Sequence, residues 1–453
     1  MTPQVKNRQI VVAGAARSGV AVAELLFWKG AQVFVSDSGV ISSVFRKRLE
    51  KAKIPFEEKG HTEKAFEGDI LVLSPGVPSD APIVTSYTRA GKQVVSEIEV
   101  AAWYCKSRII AVTGSNGKTT VVNWLADVWK RAGRPYLLAG NVGTAFSEVI
   151  GQTSSDSDVI LEVSSFQLDH IDRFRAQVAV LLNITPDHLN RYQNQFEKYI
   201  TSKMQLPAHQ TGEDILIYGF DDPVVKERVE RLDREPEHPE LFPFSSDMDI
   251  PGACIRDGII RIQTDTHNEE YIPIKQLALP GKHNIRNGLA VALAARLCDI
   301  EKGPIRESLS SFEGVPHRLQ KVRELDGVTY YNDSKATNVN AVWYALNSFH
   351  RPVILIMGGR DKGNNYRELI PEIRKKVKAI VAIGEGREAI KAQLVGVAPV
   401  IWFADSMQEA VQKSCLKAEG NDIVLLSPAC ASFDMFESYE DRGHKFIQAV
   451  MTL

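Results

Sequence analysis

Along the chain, short runs of β-branched and aliphatic residues alternate with stretches in which apolar positions recur every three or four residues. The first pattern predicts buried strands of parallel sheets, and the second predicts the amphipathic helices that cover them. "QIVVAG", the turn "GAARSG", the helical "VAVAELLFWKG" and the returning "AQVFVSD" make one βαβ unit, which "DILVLSPGVP" and "KQVVSE" extend. At "RIIAVTG" a new strand begins, followed by "SDVILEVSS", "QVAVLLNITPDH" and "DILIYG". The charged, proline-containing "KERVERLDREPEHPELFPF" reads as a solvated helix end and a surface loop. Beyond the helix "NIRNGLAVALAARL", the strands "PVILIMGG", "KAIVAIG", "APVIWFAD" and "DIVLLSP" alternate with helices such as "MQEAVQKSCLKAEG". At 453 residues the chain is too long for one core, and a prior of roughly 150 residues per domain gives about three. The expected class is α/β, with domains at 1–107, 108–315 and 316–453.

Charge and cysteines narrow the function classes. Fifty-four basic against 56 acidic side chains leave a formal net charge of −2, so no global field favours nucleic acid or an anionic membrane as partner. Cys105, Cys254, Cys298, Cys415 and Cys430 are scattered without any C-x-x-C pair, which fits reduced thiols and neither a disulfide framework nor zinc. The start of the sequence has no apolar signal core, and no run approaches the roughly 18 apolar residues of a membrane span. A cytoplasmic protein is expected.

Candidate chemistry begins at "AVTGSNGKTT", Ala111–Thr120, between the apolar strand "RIIAV" and a helix with Val121, Trp124, Leu125 and Val128 on one face. Strand, turn and helix are the setting of a phosphate loop, although the common G-x-x-x-x-G-K-[ST] pattern wants glycine where Val112 stands. The loop Gly114, Ser115, Asn116, Gly117, Lys118, Thr119 and Thr120 can turn backbone amides toward an anion at the helix N-terminus. Lys118 can reach a terminal phosphate, and the Thr119 hydroxyl can reach Mg²⁺. Glu162 in "VILEVSSFQ" and His188 in "NITPDHLNRY" fall at or just after strand ends, where open α/β sheets bind ligands. Taken singly, His188 also reads as a loop histidine, Glu162 as a costly acid beside a buried strand, and Lys203 as a solvated helix residue. In "GAARSG", Ala16 stands where a dinucleotide fingerprint has its second glycine, while Asp37 sits at the spacing of a ribose-binding acid. A dehydrogenase and a purely structural turn are the alternatives there.

"TGSNGKTT", "GNVGT", "LEVSSFQL", "NITPDHLNRY", "LPGKHNIRNGLA", "HRLQ", "NDSKATN" and "LLSPACASFDMFESYEDRG" occur in this order over essentially the whole chain. As a set they resemble the ATP-dependent Mur ligases, in which T-G-x-N-G-K-T is the ordinary loop. The resemblance implies a Rossmann-like domain (1–107) holding the UDP of a substrate and a central phosphate-loop, ATPase-like domain (108–315). It implies a second Rossmann-like domain (316–453) for the incoming amino acid. It further implies an acid–D-amino-acid ligase of peptidoglycan precursor synthesis, with ATP, UDP-N-acetylmuramoyl-L-alanine and D-glutamate as substrates. ATP would phosphorylate the alanyl carboxylate, the D-glutamate amine would attack the acyl phosphate, and ADP and phosphate would leave. Two anions must meet, so Mg²⁺, Lys118 and an arginine are needed against their repulsion.

By resemblance, Thr119 and Glu162 serve a first Mg²⁺ and His188 a second, and Lys203 carries a carbamate that replaces a cation by an anionic oxygen. Arg318 in "PHRLQ" matches the arginine near the transferred phosphate, with a hinge salt bridge as the alternative. Asn287 approaches adenine and Asp333 the ribose, whereas Asn284 also reads as a helix cap. Ser18, Asp37, Ser38 and Gly76 match positions that hold UDP, although Ser18 and Ser38 fit a structural turn as well. Asn141, Ser164 and Gln167 match contacts to the sugar and alanyl part. Thr337, Lys362, Ser432 and Tyr439 match positions that hold the two carboxylates of D-glutamate. Tyr439 and Asn190 replace a phenylalanine and an aspartate usual in the family. Catalysis would require domain closure to bring Arg318, Thr337 and Lys362 to Lys118 and Glu162. Rival readings are a ligase for another amino acid, which "SPACASFD" with "GAARSG" argues against, and a nucleotide-gated switch, which leaves Glu162, His188, Arg318 and Lys362 without roles. A monomer with no nucleic-acid or membrane partner is expected.

Overall fold

The computed structural model describes residues 3–141, 143–361 and 363–453. The chain forms two compact units, one of Met1–Leu277 with Arg286–Phe312 and one of Ala278–Ile285 with Glu313–Leu453. Lys362 lies outside the described residues.

The first unit holds two sheets. Strands β1 (Gln9–Ala13), β2 (Gln32–Ser36), β3 (Phe56–Glu57), β4 (Ile70–Leu73) and β5 (Gln93–Ser96) form a parallel sheet in the order β3-β2-β1-β4-β5. The second sheet contains β6 (Arg108–Thr113), β7 (Tyr136–Gly140), β8 (Asp158–Glu162), β9 (Val178–Leu181), β10 (Ile215–Gly219) and β11 (Glu240–Phe244). It continues through β12 (Gly252–Arg256), β13 (Ile259–Gln263) and β14 (Asn268–Pro273), in the order β14-β13-β12-β11-β10-β9-β6-β8-β7. Strands β6 to β11 are parallel, and every residue of β8 and β9 is buried. Burial on both sheet faces is why these strands read as unbroken apolar runs. The helix Lys118–Arg131 buries Val121, Trp124, Leu125 and Val128, and Trp124 stacks on Phe312 with ring centroids 5.1 Å apart.

The second unit holds β15 (Gln320–Leu325), β16 (Val328–Asn332), β17 (Val353–Gly358), β18 (Val377–Ile383), β19 (Ile401–Ala404) and β20 (Ile423–Leu426). Their order is β15-β16-β20-β17-β18-β19, parallel except for the β15–β16 hairpin. All of β17 and β20 is buried.

Two features depart from the pattern reading. The segment "ELFPF", expected as surface loop, is strand β11, and β12 to β14 add an antiparallel edge to the central sheet. Pro243 pairs with Tyr218 of β10, while β12 reaches β11 only at Phe244, so the missing proline N–H falls where pairing with β12 has not begun. The β15–β16 hairpin likewise stands ahead of the four strands expected in the C-terminal part.

Candidate active site

Strand β6 runs through Gly114–Gly117 into the helix that starts at Lys118. Gly117 caps that helix at φ 91°, and a Cβ there would lie 2.6 Å from Asn287 Oδ1, so Asn287 stands directly against the loop. Two loop residues are fastened to the segment after β9. Ser115 N donates to Asn183 O (2.9 Å) and Ser115 Oγ to Thr185 O (2.8 Å). Asn116 N donates to Asn183 Oδ1 (2.9 Å), whose Nδ2 returns a bond to Asn116 O (3.0 Å). These bonds fix the loop backbone against the segment after β9, as a preformed anion site requires.

Two lysine side-chain nitrogens converge on one carbonyl of the loop. Lys118 Nζ donates to Gly114 O at 2.7 Å and to Ser115 O at 3.1 Å, and Lys203 Nζ donates to Gly114 O at 2.9 Å. Lys203 ends the helix Phe196–Lys203 and is buried, over the ring of Tyr199. Burial, seconded by the Lys118 charge, holds its amine well below the usual lysine range, against the attraction of Asp187, Asp169 and Glu162. Thr119 and Thr120 are buried at the start of the Lys118–Arg131 helix.

Glu162 closes β8, opposite Val112 of β6, and is buried with Oε2 lacking any hydrogen-bond partner. An unpaired carboxylate oxygen is costly in the interior, and its chemistry fits a divalent cation. His188 follows β9 in a left-handed conformation (φ 51°) and meets Phe166 edge-on at 6.2 Å. The His188 side chain keeps about half its surface exposed (54%), and partial desolvation, followed by the charges of Lys118, Lys203 and Arg191, holds its imidazole below the ordinary range against the pull of Asp187. A neutral imidazole is the ligating form. No group of three or more His, Cys, Asp or Glu side chains that could hold a metal occurs among the described residues. The unpaired Glu162 oxygen and the Thr119 hydroxyl are hard oxygen donors of the kind Mg²⁺ takes alongside substrate phosphates.

At the neighbouring sheet, Asp37 accepts from Ala15 N (2.6 Å) and Gly39 N (2.7 Å), bracing the turn after β1. Ser18 is half-buried at the start of the helix Arg17–Trp28, and Ser38 and Gly76 are exposed. Asn141 N donates to Glu162 O (3.0 Å), and Ser164 N donates to Gln167 Oε1 (3.0 Å), so these residues collect around the end of β8. Gln167 is buried with Nε2 unpartnered.

In the second unit, Arg318 is half-buried between His317 (φ 63°) and Leu319 (φ 43°), and its Nε is enclosed without a partner. Asp333 at the end of β16 accepts from Ser427 Oγ (2.8 Å) and Leu319 N (3.2 Å), and burial pushes its carboxyl up to about 7. Asn284 Nδ2 donates to Pro280 O (2.8 Å), a bond that ties it to the turn before its helix. Thr337 is exposed, Ser432 is buried, and Tyr439 begins the helix Tyr439–Met451. Arg442, which the motifs did not single out, joins their segments. It donates to Ser334 Oγ (2.9 Å), Ser334 O (2.7 Å) and Cys430 O (3.0 Å), while Ser334 Oγ donates to Tyr439 O (2.8 Å). A readable signal existed, since Arg442 shares the buried face of that helix with Phe446, Ala449 and Val450.

Residues 9–83 match the MurD N-terminal domain, 112–295 the Mur ligase middle domain, and 317–430 the Mur ligase glutamate ligase domain. Fold, loop and domain order together define a Mur ligase by class. The UDP-N-acetylmuramoylalanine--D-glutamate ligase of Salinibacter ruber is 46% identical, with all of both chains covered. The chain belongs to the UDP-N-acetylmuramoylalanine--D-glutamate ligase family. Among solved structures, UDP-N-acetylmuramate-alanine ligase MurC of Thermotoga maritima shares the fold at a TM-score of 0.61 and 16% identity, covering 98% of this chain and 100% of that one. MurF ligase of Thermotoga maritima, solved in complex with ADP, does so at 0.59 and 15%, covering 93% and 95%.

Proposed function

We propose that the chain joins the alanyl carboxylate of UDP-N-acetylmuramoyl-L-alanine to the amine of D-glutamate, with ATP converted to ADP and phosphate. The observation that carries this reading is the convergence of Lys118 and Lys203 on Gly114 O, together with the unpartnered Oε2 of Glu162, in a chain 46% identical to a ligase of that name. A carboxylate is a poor electrophile, so phosphoryl transfer from ATP to the alanyl oxygen precedes attack by the amine. Backbone amides at the start of the Lys118–Arg131 helix receive the nucleotide phosphates, and the Lys118 ammonium offsets their charge. Asn287 lies against the loop where the base would rest, Asp333 serves the ribose, and Arg318 serves the transferred group. Mg²⁺ would be held by Thr119 and Glu162, and a second ion by His188 and a carbamate on Lys203; it supplies charge neutralisation between the two anions. The lowered basicity of the buried Lys203 amine favours that modification, because only the unprotonated amine reacts with CO₂. Its lone pair bonds to the carbon of CO₂, and an N–H proton leaves to solvent.

Residues 1–107 would hold the UDP-sugar through Ser18, Asp37, Ser38, Gly76, Asn141, Ser164 and Gln167, with the last three contributed from 108–315. Residues 316–453 would hold D-glutamate through Thr337, Lys362, Ser432 and Tyr439. A monomer working in the cytoplasm fits small-molecule substrates, and no helix among the described residues is long and apolar enough to cross a membrane. The test is ATP- and Mg²⁺-dependent phosphate release with UDP-N-acetylmuramoyl-L-alanine, comparing D-glutamate with L-glutamate, L-lysine and meso-diaminopimelate. Release with D-glutamate alone, with the matching product mass, is expected. Release that ignores the UDP-sugar would instead identify a nucleotide-gated switch.

A further inference from the structure

Arg191 lies three residues beyond His188, in the single turn Leu189–Tyr192. Its guanidinium reaches out of the central sheet's loops to the first sheet, donating from Nη1 to Pro75 O (2.9 Å) and from Nη2 to Val77 O (2.8 Å). Those carbonyls belong to the turn that follows β4, closed by Val77 N donating to Ser74 O (3.0 Å). The turn carries Gly76 and packs on the phosphate-type turn after β1, where a Cβ on Gly14 would come within 2.9 Å of Ser74 Cβ. The guanidinium carbon of Arg191 also lies over the ring of Phe166, 4.7 Å from its centre, and Phe166 in turn meets His188.

The segment that bears Arg191 is under backbone strain. His188, Gln193 and Asn194 have φ of 51°, 55° and 57°, a left-handed conformation that is unfavourable for a non-glycine residue and persists only when the surroundings over-determine it. Local restraints are Arg191 N donating to His188 O (2.9 Å) and Tyr192 OH donating to Asp169 Oδ2 (3.0 Å). Arg191 is the restraint in this segment that reaches the other sheet.

We propose that Arg191 is a positioning residue that spans from the loop of His188 to the turn of Gly76 and holds the UDP-sugar site and the phosphoryl-transfer site in one register. The inference rests on the ligase reading above. A planar fork with two donors on separate nitrogens satisfies both carbonyls at once, while a lysine reaches one at a time. The phosphate loop is braced separately, through Asn183 and Thr185, so its geometry does not depend on Arg191.

The experiment is steady-state kinetics of the full-length protein and its Arg191→Lys and Arg191→Ala variants, varying each of the three substrates. The expected result is a KM for UDP-N-acetylmuramoyl-L-alanine raised about tenfold and a kcat lowered about tenfold or more, with KM for ATP and D-glutamate within about twofold of wild type. Arg191→Lys keeps the charge and the bulk, so its failing in the same direction separates the clamp from loss of folding. Three KM values that move together, or none that moves, overturn the proposal while the ligase reading stands. Wild type that releases no phosphate with the UDP-sugar overturns both.

Discussion

Lys203 donates to Gly114 O, yet burial and the neighbouring Lys118 favour its neutral amine. An unprotonated, enclosed amine is a nucleophile for CO₂, and a carbamate would place an anion beside Lys118. With ¹³C-bicarbonate the wild-type protein is expected to give a carbamate carbonyl resonance that Lys203→Ala lacks. Turnover of Lys203→Ala should fall by about 100-fold or more, the scale of losing a preorganised charge, and recover in part with short carboxylic acids. A wild-type spectrum without that resonance removes the role. The sequence made Lys203 a candidate only through family likeness, because a lysine near a helix end reads as solvated until the packing shows it enclosed. Arg442 has the same history: its residue type says surface, its helix face says interior, and only Ser334 and Cys430 explain why it is there.

At the scale of elements, the phosphate loop was the most legible part. The apolar run of β6, the glycines and the amphipathic helix all specify one strand–turn–helix unit. What the pattern left open was how tightly the unit is set against its neighbours. Gly117→Ala combines a φ of 91° with a Cβ 2.6 Å from Asn287 Oδ1. It should cost about 1 kcal/mol or more in stability and raise KM for ATP about tenfold by displacing Asn287 and the helix start. Calorimetric unfolding together with an ATP titration checks both, and an unchanged KM for ATP would detach Asn287 from the nucleotide. The hairpins were missed despite a signal. Asp257-Gly258 joins β12 to β13 and Asp326-Gly327 joins β15 to β16, each pair with positive φ at both residues, which is the two-residue turn that twisted antiparallel strands prefer.

Across the first unit, the helix Glu97–Ala102 fastens the first sheet to the second. Glu99 accepts from the backbone amides of Asp172, Arg173 and Phe174, and Glu97 accepts from Ser147 N at 2.6 Å. Burial raises the Glu97 carboxyl to about 7, with Ser147 opposing and Glu148 adding slightly; Glu148 is itself paired with Arg48 at 2.8 Å. The folded state thus holds the Glu97 proton more tightly than the unfolded chain, so this group's contribution is most favourable below about pH 4.5 and is lost as pH rises toward 7. Up to roughly 3 kcal/mol is at stake. Glu97→Gln keeps an acceptor for Ser147 N and cannot ionise, so its melting temperature should fall less than that of wild type between pH 5 and pH 8. Parallel curves for the two proteins would show that Glu97 does not titrate in this range.

Alternating apolar runs and helical periods determined the class of fold, because strands buried on both faces and helices buried on one leave different spacings. Motif order along the chain determined the family, since each motif needs its own residue types in fixed local positions. Tertiary structure decided what distance along the chain cannot encode. It placed Lys118 and Lys203 on one carbonyl, left Glu162 Oε2 without a partner, and carried Arg191 from the loop of His188 to the turn of Gly76. Burial and proximity set the basicity of a lysine and the reach of an arginine, and both arise only when segments far apart in sequence pack together.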